Sequence, residues 1–186
     1  GLGASLASFI IILTKLGALK NSLTKDLLKA NKKKTDNSLK LANNLKNKEI
    51  ILVSSALFGG NLKALRKQLN ESAKNMASFL TISDMNHHAL EGLSFPKNNK
   101  KRLAALFIDS KLDDQKIQKR ADISKEIFKR QKIKVYTYQP IGKNVLEQSL
   151  DLLQFGAYLS YHIAIQNHVN PSDIPWVDWF KKKLSN

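Results

Sequence analysis

The chain has 186 residues, of which 42% are hydrophobic and 25% charged, so it is long and apolar enough for one globular domain with a buried core. It contains no cysteine, which excludes disulfides and thiolate metal sites and fits a reducing, cytoplasmic compartment. Lysine and arginine outnumber aspartate and glutamate by 31 to 15, a formal net charge of +16 that attracts anions.

The first predicted element is a buried helix over residues 4–19. Its uncharged run stops at Lys15, too short for a span of about 20 residues, and no basic segment of a signal peptide precedes it. No membrane partner is therefore expected. An amphipathic helix follows over residues 35–46, with Asp36 or Asn37 near its start.

The rest of the chain alternates apolar runs with helical patterns. The branched run at 49–55 is typical of a parallel strand buried on both faces, the runs at 77–82 and 102–109 indicate further buried strands, and the run at 134–139 indicates a fourth strand. Between and after them, helices are predicted over 61–76, 113–131 and 143–168, with a terminal helix opening at Pro171 and Ser172. The pattern predicts an α/β fold, a three-layer αβα sandwich with a mostly parallel, doubly wound sheet.

The residues predicted to face the core follow the helical period of 3.6. In chain order they are Leu62, Leu65, Leu69, Met76, Ile117, Ala121, Ser124, Phe128, Val145, Leu146, Ser149, Leu152, Leu153, Gly156 and Ile163.

Ligands of doubly wound sheets bind outside the carboxyl ends of the strands. After the first strand, Ser54, Ser55, Gly59 and Gly60 precede a helix, where small residues let backbone N–H groups contact an anion. Adjacent glycines are also common in ordinary turns, and that interpretation is favoured.

Three titratable residues are candidates for chemistry. Glu71 lies off the apolar stripe of its helix, His87 of the His87–His88 pair follows a strand, and Lys181 borders the apolar face of the terminal helix. Periodicity alone also fits a solvated glutamate, a surface histidine and a lysine lying along the edge of the core. The four histidines have no HxxxH spacing, so no metal or other cofactor is expected.

The lysine runs at 32–34, 97–102, 129–134 and 181–183 are interpreted as solvated faces. They lack the interleaved aromatic residues of a single-strand binding platform, and no recognition helix or zinc finger is present. No nucleic-acid partner is expected, although a basic nucleic-acid-binding module stays open as a third interpretation of the chain.

Residues 61–96, NLKALRKQLNESAKNMASFLTISDMNHHALEGLSFP, closely resemble the central motif of the bifunctional phosphoglucose/phosphomannose isomerases, an NExAK-type helix followed by a strand and an NHN- or NHH-type segment. The ending FGAYLSYHIAIQNHVNPSDIPWVDWFKKKL resembles that family's tail. The start, GLGASLASFIIILTKLGAL, is similar to the helix that joins the family's two sugar isomerase (SIS) domains. The resemblance covers nearly the whole chain.

The resemblance implies a metal-free aldose–ketose isomerase that interconverts glucose 6-phosphate or mannose 6-phosphate with fructose 6-phosphate through a cis-enediol. Glu71 matches the family's catalytic base, His87 the ring-opening histidine supplied across a dimer interface, and Lys181 the lysine that assists at the ring oxygen. Two residues depart from the commonest motif: Asp84 replaces a glutamate, and His88 replaces an asparagine as in the NHH variants.

The family's phosphate-binding Ser/Thr-rich loop and an arginine that steadies the enediolate belong to a first SIS domain, which this sequence does not contain. Residues 1–186 are therefore expected to be a single C-terminal SIS-like domain, with residues 1–21 as the linking helix. Its expected partners are the missing N-terminal SIS domain, a second copy in a homodimer and a sugar 6-phosphate, and the fragment alone is expected to be inactive. The alternative is a non-catalytic sugar-phosphate-binding or structural domain. Convergence of Glu71, His87 and Lys181 on one cleft would favour the enzyme, and their dispersal the alternative.

Overall fold

The computed structural model describes Lys15 and residues 32–185. The predicted first helix and the linking segment 1–21 lie outside these residues, apart from Lys15. The chain divides into two units between Lys32 and Lys33, and the fold is that of the second.

Four strands of the described chain form one parallel sheet with the order β2-β1-β3-β4. The strands are β1 (Glu49–Ser54), β2 (Ala77–Thr81), β3 (Leu103–Ile108) and β4 (Lys134–Tyr138). In register, Ile50 lies opposite Ala77 on one side and Ala104 on the other, and Ala104 lies opposite Lys134. All four predicted strands are confirmed, but β2 is not a fully buried strand as predicted, because it lies at an edge of the sheet and only Ala77 of it is buried.

Helices connect and follow the strands. In chain order they are α1 (Lys32–Leu45), α2 (Gly59–Glu71), α3 (Ile82–Met85), α4 (Ala89–Gly92), α5 (Asn99–Arg102), α6 (Gln115–Arg130), α7 (Val145–Gln166) and α8 (Pro175–Leu184), with a 3-10 turn at Ala56–Phe58 before α2. None of the described helices combines the length and hydropathy that a membrane crossing requires.

The sheet separates two apolar clusters because successive residues of a strand point to opposite faces. Ile50 and Leu52 of β1 point to what we call the first face, where α1, α2 and α7 pack. Ile51 and Val53 point to the second face, where α6 and the short helices after β2 pack. The three-layer αβα architecture predicted from the sequence is confirmed.

Several local predictions are wrong. Asp36 and Asn37 lie in the second turn of α1 rather than at its start, because the helix already begins at Lys32. Met76 is 66% exposed, since α2 ends at Glu71 and the chain turns before β2.

Two predictions about the starts of α7 and α8 are also wrong. Val145 and Leu146 are exposed rather than inward, because they form the first turn of α7. The terminal helix begins at Pro175 and not at Pro171 or Ser172.

Candidate active site

Glu71 is the last residue of α2 and is exposed at the amino edge of the sheet, where the strands begin. Helix α2 is fixed on the first face by buried Leu62, Leu65 and Leu69. Its end is fixed by Asn70, whose Oδ1 accepts a hydrogen bond from the backbone N–H of Ala77, the first residue of β2, at 2.7 Å. The Glu71 carboxylate therefore projects from a rigid helix end.

His87 lies on the second face. Strand β2 leads directly into α3, which buries Ile82 and Met85 in the second-face cluster. The next residue, Asn86, donates from Nδ2 to Ser124 Oγ of α6 at 2.8 Å. His87 follows with an exposed side chain, and its backbone N–H donates to Asp84 O at 3.1 Å.

The neighbouring His88 is also exposed. Its Nε2 lies 3.5 Å from Asp84 Oδ2, and both side chains are more than 60% exposed, so this pair is solvent-screened and contributes little to stability. The pair does not involve the His87 imidazole, which is accessible to solvent in this chain.

Glu71 and His87 are therefore on opposite faces of the sheet. A helix layer is about 10 Å thick, whereas groups that exchange protons with one substrate must each come within about 3 Å of it. Within one chain the sheet thus separates the two side chains.

Lys181 is carried by α8, an exposed helix in which no described residue is buried. The apolar side chains Trp176, Phe180 and Leu184 are 81%, 56% and 71% exposed. The chain that leads to α8 contacts the end of α2: Asn167 Nδ2 donates to Ala73 O at 3.0 Å. The segment that leads to Lys181 therefore starts at the amino edge of the sheet, close to Glu71.

A cavity of about 210 Å³ opens at the other edge, at the carboxyl ends of β3 and β4. Its lining carries three carboxylates, Asp109, Asp113 and Asp122, and two lysines, Lys111 and Lys125. The half-buried Lys125 contacts Asp109 and lies 3.0 Å from Asp122. Burial lowers the pKa of Lys125, but the hydrogen bonds and charges of Asp109 and Asp122 outweigh it and raise that pKa overall.

The carboxyl edge is also acidic beside Ser55. Burial raises the pKa of Asp113, the nearby Ser55 hydroxyl lowers it, and the charges of Asp114 and Asp109 raise it further. Ser54 is buried and donates from Oγ to the Ser55 carbonyl at 2.8 Å. A carboxyl group at this position opposes a bound anion, which favours an ordinary turn over an anion site at Ser54, Ser55, Gly59 and Gly60.

Among the described residues, no group of three or more histidine, aspartate or glutamate side chains is arranged to hold a metal ion.

The polar contacts that fix the end of α2 were not predicted from the sequence. Asn70 bonds to β2, Lys74 Nζ donates to Asn170 O at 2.9 Å, and Asn167 bonds to Ala73. The available signal was the run NESAK at 70–74, which contains Asn70, Ala73 and Lys74.

The fold defines the class of protein: a sugar isomerase (SIS)-like α/β domain. It is similar to a glucose-6-phosphate isomerase-like protein from Thermus thermophilus, with a TM-score of 0.62 and 22% identity over 75% of this chain and 46% of that one. It is also similar to glucosamine-6-phosphate deaminase from Thermotoga maritima, with a TM-score of 0.61 and 15% identity over 92% of this chain and 53% of that one.

Within that class, the family model described as bacterial phospho-glucose isomerase C-terminal SIS domain matches residues 34–184, and the chain belongs to this family. The chain is 26% identical over 178 residues to a bifunctional phosphoglucose/phosphomannose isomerase from Aquifex aeolicus, covering 93% of this chain and 55% of the relative. A protein of the same description from Thermoplasma acidophilum is 26% identical over 64% of this chain and 37% of its own length. The chain thus spans about half the length of these relatives or less.

Proposed function

We propose that this chain is the C-terminal half of an aldose–ketose isomerase that interconverts glucose 6-phosphate or mannose 6-phosphate with fructose 6-phosphate in the cytoplasm. The family match over residues 34–184 carries the proposal, because it includes the motif that holds Glu71 and His87. The expected upstream SIS domain would supply the phosphate site.

In this proposal Glu71 is the base. Its carboxylate takes the proton from C2 of the open-chain aldose to give a cis-enediol and returns a proton to C1, while O2 loses its proton and O1 gains one. A carboxylate suits this step when substrate shields it from water. The exposure of Glu71 in this chain is compatible with that role, since substrate and the upstream domain would cover the amino edge.

The other two residues serve ring opening, in which the bond between C1 and the ring oxygen breaks. The His87 imidazole passes a proton between the sugar hydroxyl and the ring oxygen, and the Lys181 ammonium stabilises negative charge that develops there. Since Glu71 and His87 lie on opposite faces of one chain, we assign the histidine of each site to the partner subunit of a homodimer. Separation of the two residues within one chain would equally characterise a non-catalytic SIS-like domain, so the test must distinguish these functions.

The test is a coupled assay of fructose 6-phosphate conversion to glucose 6-phosphate and mannose 6-phosphate. It compares this chain alone, the chain joined to its upstream half, and the joined protein with Glu71→Gln. We expect activity only in the joined protein and a loss of about 10³-fold in the variant, the range of general-base catalysis.

The matched control is Glu91→Gln, which removes an exposed carboxylate from α4 on the second face and should keep full activity. A joined protein that is folded by circular dichroism and binds sugar phosphate, but forms neither product from fructose 6-phosphate, would instead identify a non-catalytic binding domain.

A further inference from the structure

A polar junction connects the end of α2 with the α7–α8 connection, residues 167–174. Lys74 Nζ donates to the carbonyl oxygen of Asn170 at 2.9 Å and to that of Pro171 at 3.4 Å. Beside these contacts, Asn167 Nδ2 donates to Ala73 O at 3.0 Å. Ala73 and Lys74 at the end of α2 thus form three hydrogen bonds with the α7–α8 connection, and each of the three is accepted by a backbone carbonyl.

The α2 side of the junction has a defined backbone. The Asn75 N–H donates to Leu69 O at 3.0 Å, which closes the helix end. Lys74 has φ 51°, the left-handed conformation that commonly follows a helix, so its side chain leaves the chain in a direction set by this turn. Lys74 is three residues from Glu71.

The α8 side is a short, closed turn. Asn170 Oδ1 accepts from the Ser172 N–H at 3.0 Å, and Asn170 Nδ2 donates to Asp173 Oδ1 at 2.9 Å. Helix α8 begins two residues later at Pro175, whose ring fixes its own φ. Few free torsions therefore separate the carbonyls held by Lys74 from the helix that carries Lys181.

No described residue of α8 is buried, so packing of the helix against the described chain does little to fix its position. The junction is a polar contact through which the described chain can set the direction of α8. Lys181 lies six residues into the helix, about 9 Å along its axis, so a small change of direction at the junction would move its ammonium by several ångströms.

We propose that Lys74 is a positioning residue: it binds the Asn170 and Pro171 carbonyls to orient α8, and thereby sets Lys181 relative to Glu71. The proposal rests on the proposed function for the roles of Glu71 and Lys181. Lys74 itself does not contact the reacting atoms in this assignment.

The kinetic test uses the joined protein and four variants: Lys74→Met, Lys74→Arg, Lys181→Met and the double variant Lys74→Met/Lys181→Met. Lys74→Met should lower kcat about tenfold with little change in KM, and Lys74→Arg should retain most of the rate because a guanidinium also donates to two carbonyls. In the double variant, Lys74→Met should cause no further loss, because residues that act through one another are not additive.

Lys63→Met is the matched control. Lys63 is also exposed on α2, two turns before Glu71, and its side chain forms no hydrogen bond or ion pair within the part of the chain that the structure describes. This variant should leave kcat and KM unchanged.

Additive losses in the double variant, or equal losses in Lys74→Met and Lys74→Arg, would overturn the positioning role. An active parent in which Lys181→Met has no effect would overturn it too, while leaving the isomerase and Glu71 in place. An inactive parent would count against the proposed function alone.

A distance measurement tests the junction without activity. The chain contains no cysteine, so spin labels at Lys67→Cys on α2 and Lys182→Cys on α8 report one distance between the two helices. We expect a narrow distance distribution that broadens in Lys74→Met and narrows again in Lys74→Arg. An unchanged distribution in Lys74→Met would show that Lys74 does not orient α8.

Discussion

Asp151 of α7 is a buried carboxyl group whose environment is built from two neighbouring segments. Its Oδ2 accepts hydrogen bonds from Tyr138 Oη at 2.7 Å and from the Ile141 N–H at 3.1 Å. Burial, the charge of Asp151 and this hydrogen bond raise the pKa of Tyr138 well above its ordinary value, so the phenol remains a donor at any working pH. The ring of Tyr138 also stacks on Phe155, which joins the polar contact to the first-face core.

We expect Tyr138→Phe to lower the free energy of unfolding by about 2 kcal/mol, because it keeps the ring and removes one donor to a buried carboxyl group. Denaturant unfolding at neutral pH measures the difference. The control is Tyr161→Phe, which removes the hydroxyl of an exposed tyrosine on the same helix as Asp151 and should change stability little. Equal stability of Tyr138→Phe and wild type would mean that another donor replaces the phenol.

The burial of individual helix residues was predicted correctly where periodicity and packing agree. It was predicted wrongly where a helix begins or ends. Leu62, Leu65 and Leu69 are buried as expected because the sheet covers the middle of α2. Val145 continues the apolar pattern of α7 but lies in its first turn and is exposed. Periodicity gives the face of a helix, and it carries no information on how far the neighbouring layer extends.

Helices α2 and α7 pack closely side by side on the first face. Asn61 Nδ2 donates to Ser149 O at 2.8 Å, and Gln68 Nε2 donates to Leu153 O at 3.3 Å. Gly156 permits the approach: a Cβ there would lie 2.2 Å from Gln68 Oε1 and 2.7 Å from Leu65 Cδ1. The close contact sets the spacing of the helix that ends at Glu71 and the helix that leads to α8.

We expect Gly156→Ala to destabilise the protein by about 1–3 kcal/mol, because the added methyl group must displace buried atoms of α2. Thermal or denaturant unfolding measures the change. Gly60→Ala is the control on α2: a Cβ there meets no atom within 4 Å, so the better helix propensity of alanine should leave stability equal or higher. A stable Gly156→Ala variant would show that the two helices can separate without cost.

The order of elements was predictable because the strands are short runs with few charged residues, bounded by polar helical segments. The contacts between elements were not. The junction at Lys74 depends on a residue 96 positions away in the chain, and no local pattern encodes such a pair.

At the scale of the whole molecule, the sheet divides the proposed catalytic residues. The sequence places Glu71 and His87 only 16 positions apart (87 − 71 = 16), yet β2 carries the chain across the sheet between them. Each strand of a parallel sheet carries the chain from the amino edge of the sheet to its carboxyl edge. Proximity in the sequence therefore gave no indication that one chain would hold the two residues apart.

A complementation experiment tests the assignment of His87 to the partner subunit. In the joined protein, Glu71→Gln and His87→Ala should each be inactive as homodimers. Refolding them together in equal amounts should restore about a quarter of wild-type activity, since half of the dimers are mixed and each mixed dimer has one intact site. No recovery, with mixed dimers demonstrated by tagged subunits, would place both residues in a site built by one chain.

The position of β2 between the proposed base, Glu71, and the His87 imidazole has a consequence for how the rate depends on enzyme concentration. If each site draws on two subunits, the number of working sites follows the square of the free protomer concentration once the dimer dissociates. Specific activity would then fall on dilution, even with every protomer folded and saturated with substrate. A cell could set the flux through such an enzyme by the amount of protein it makes, more steeply than in proportion.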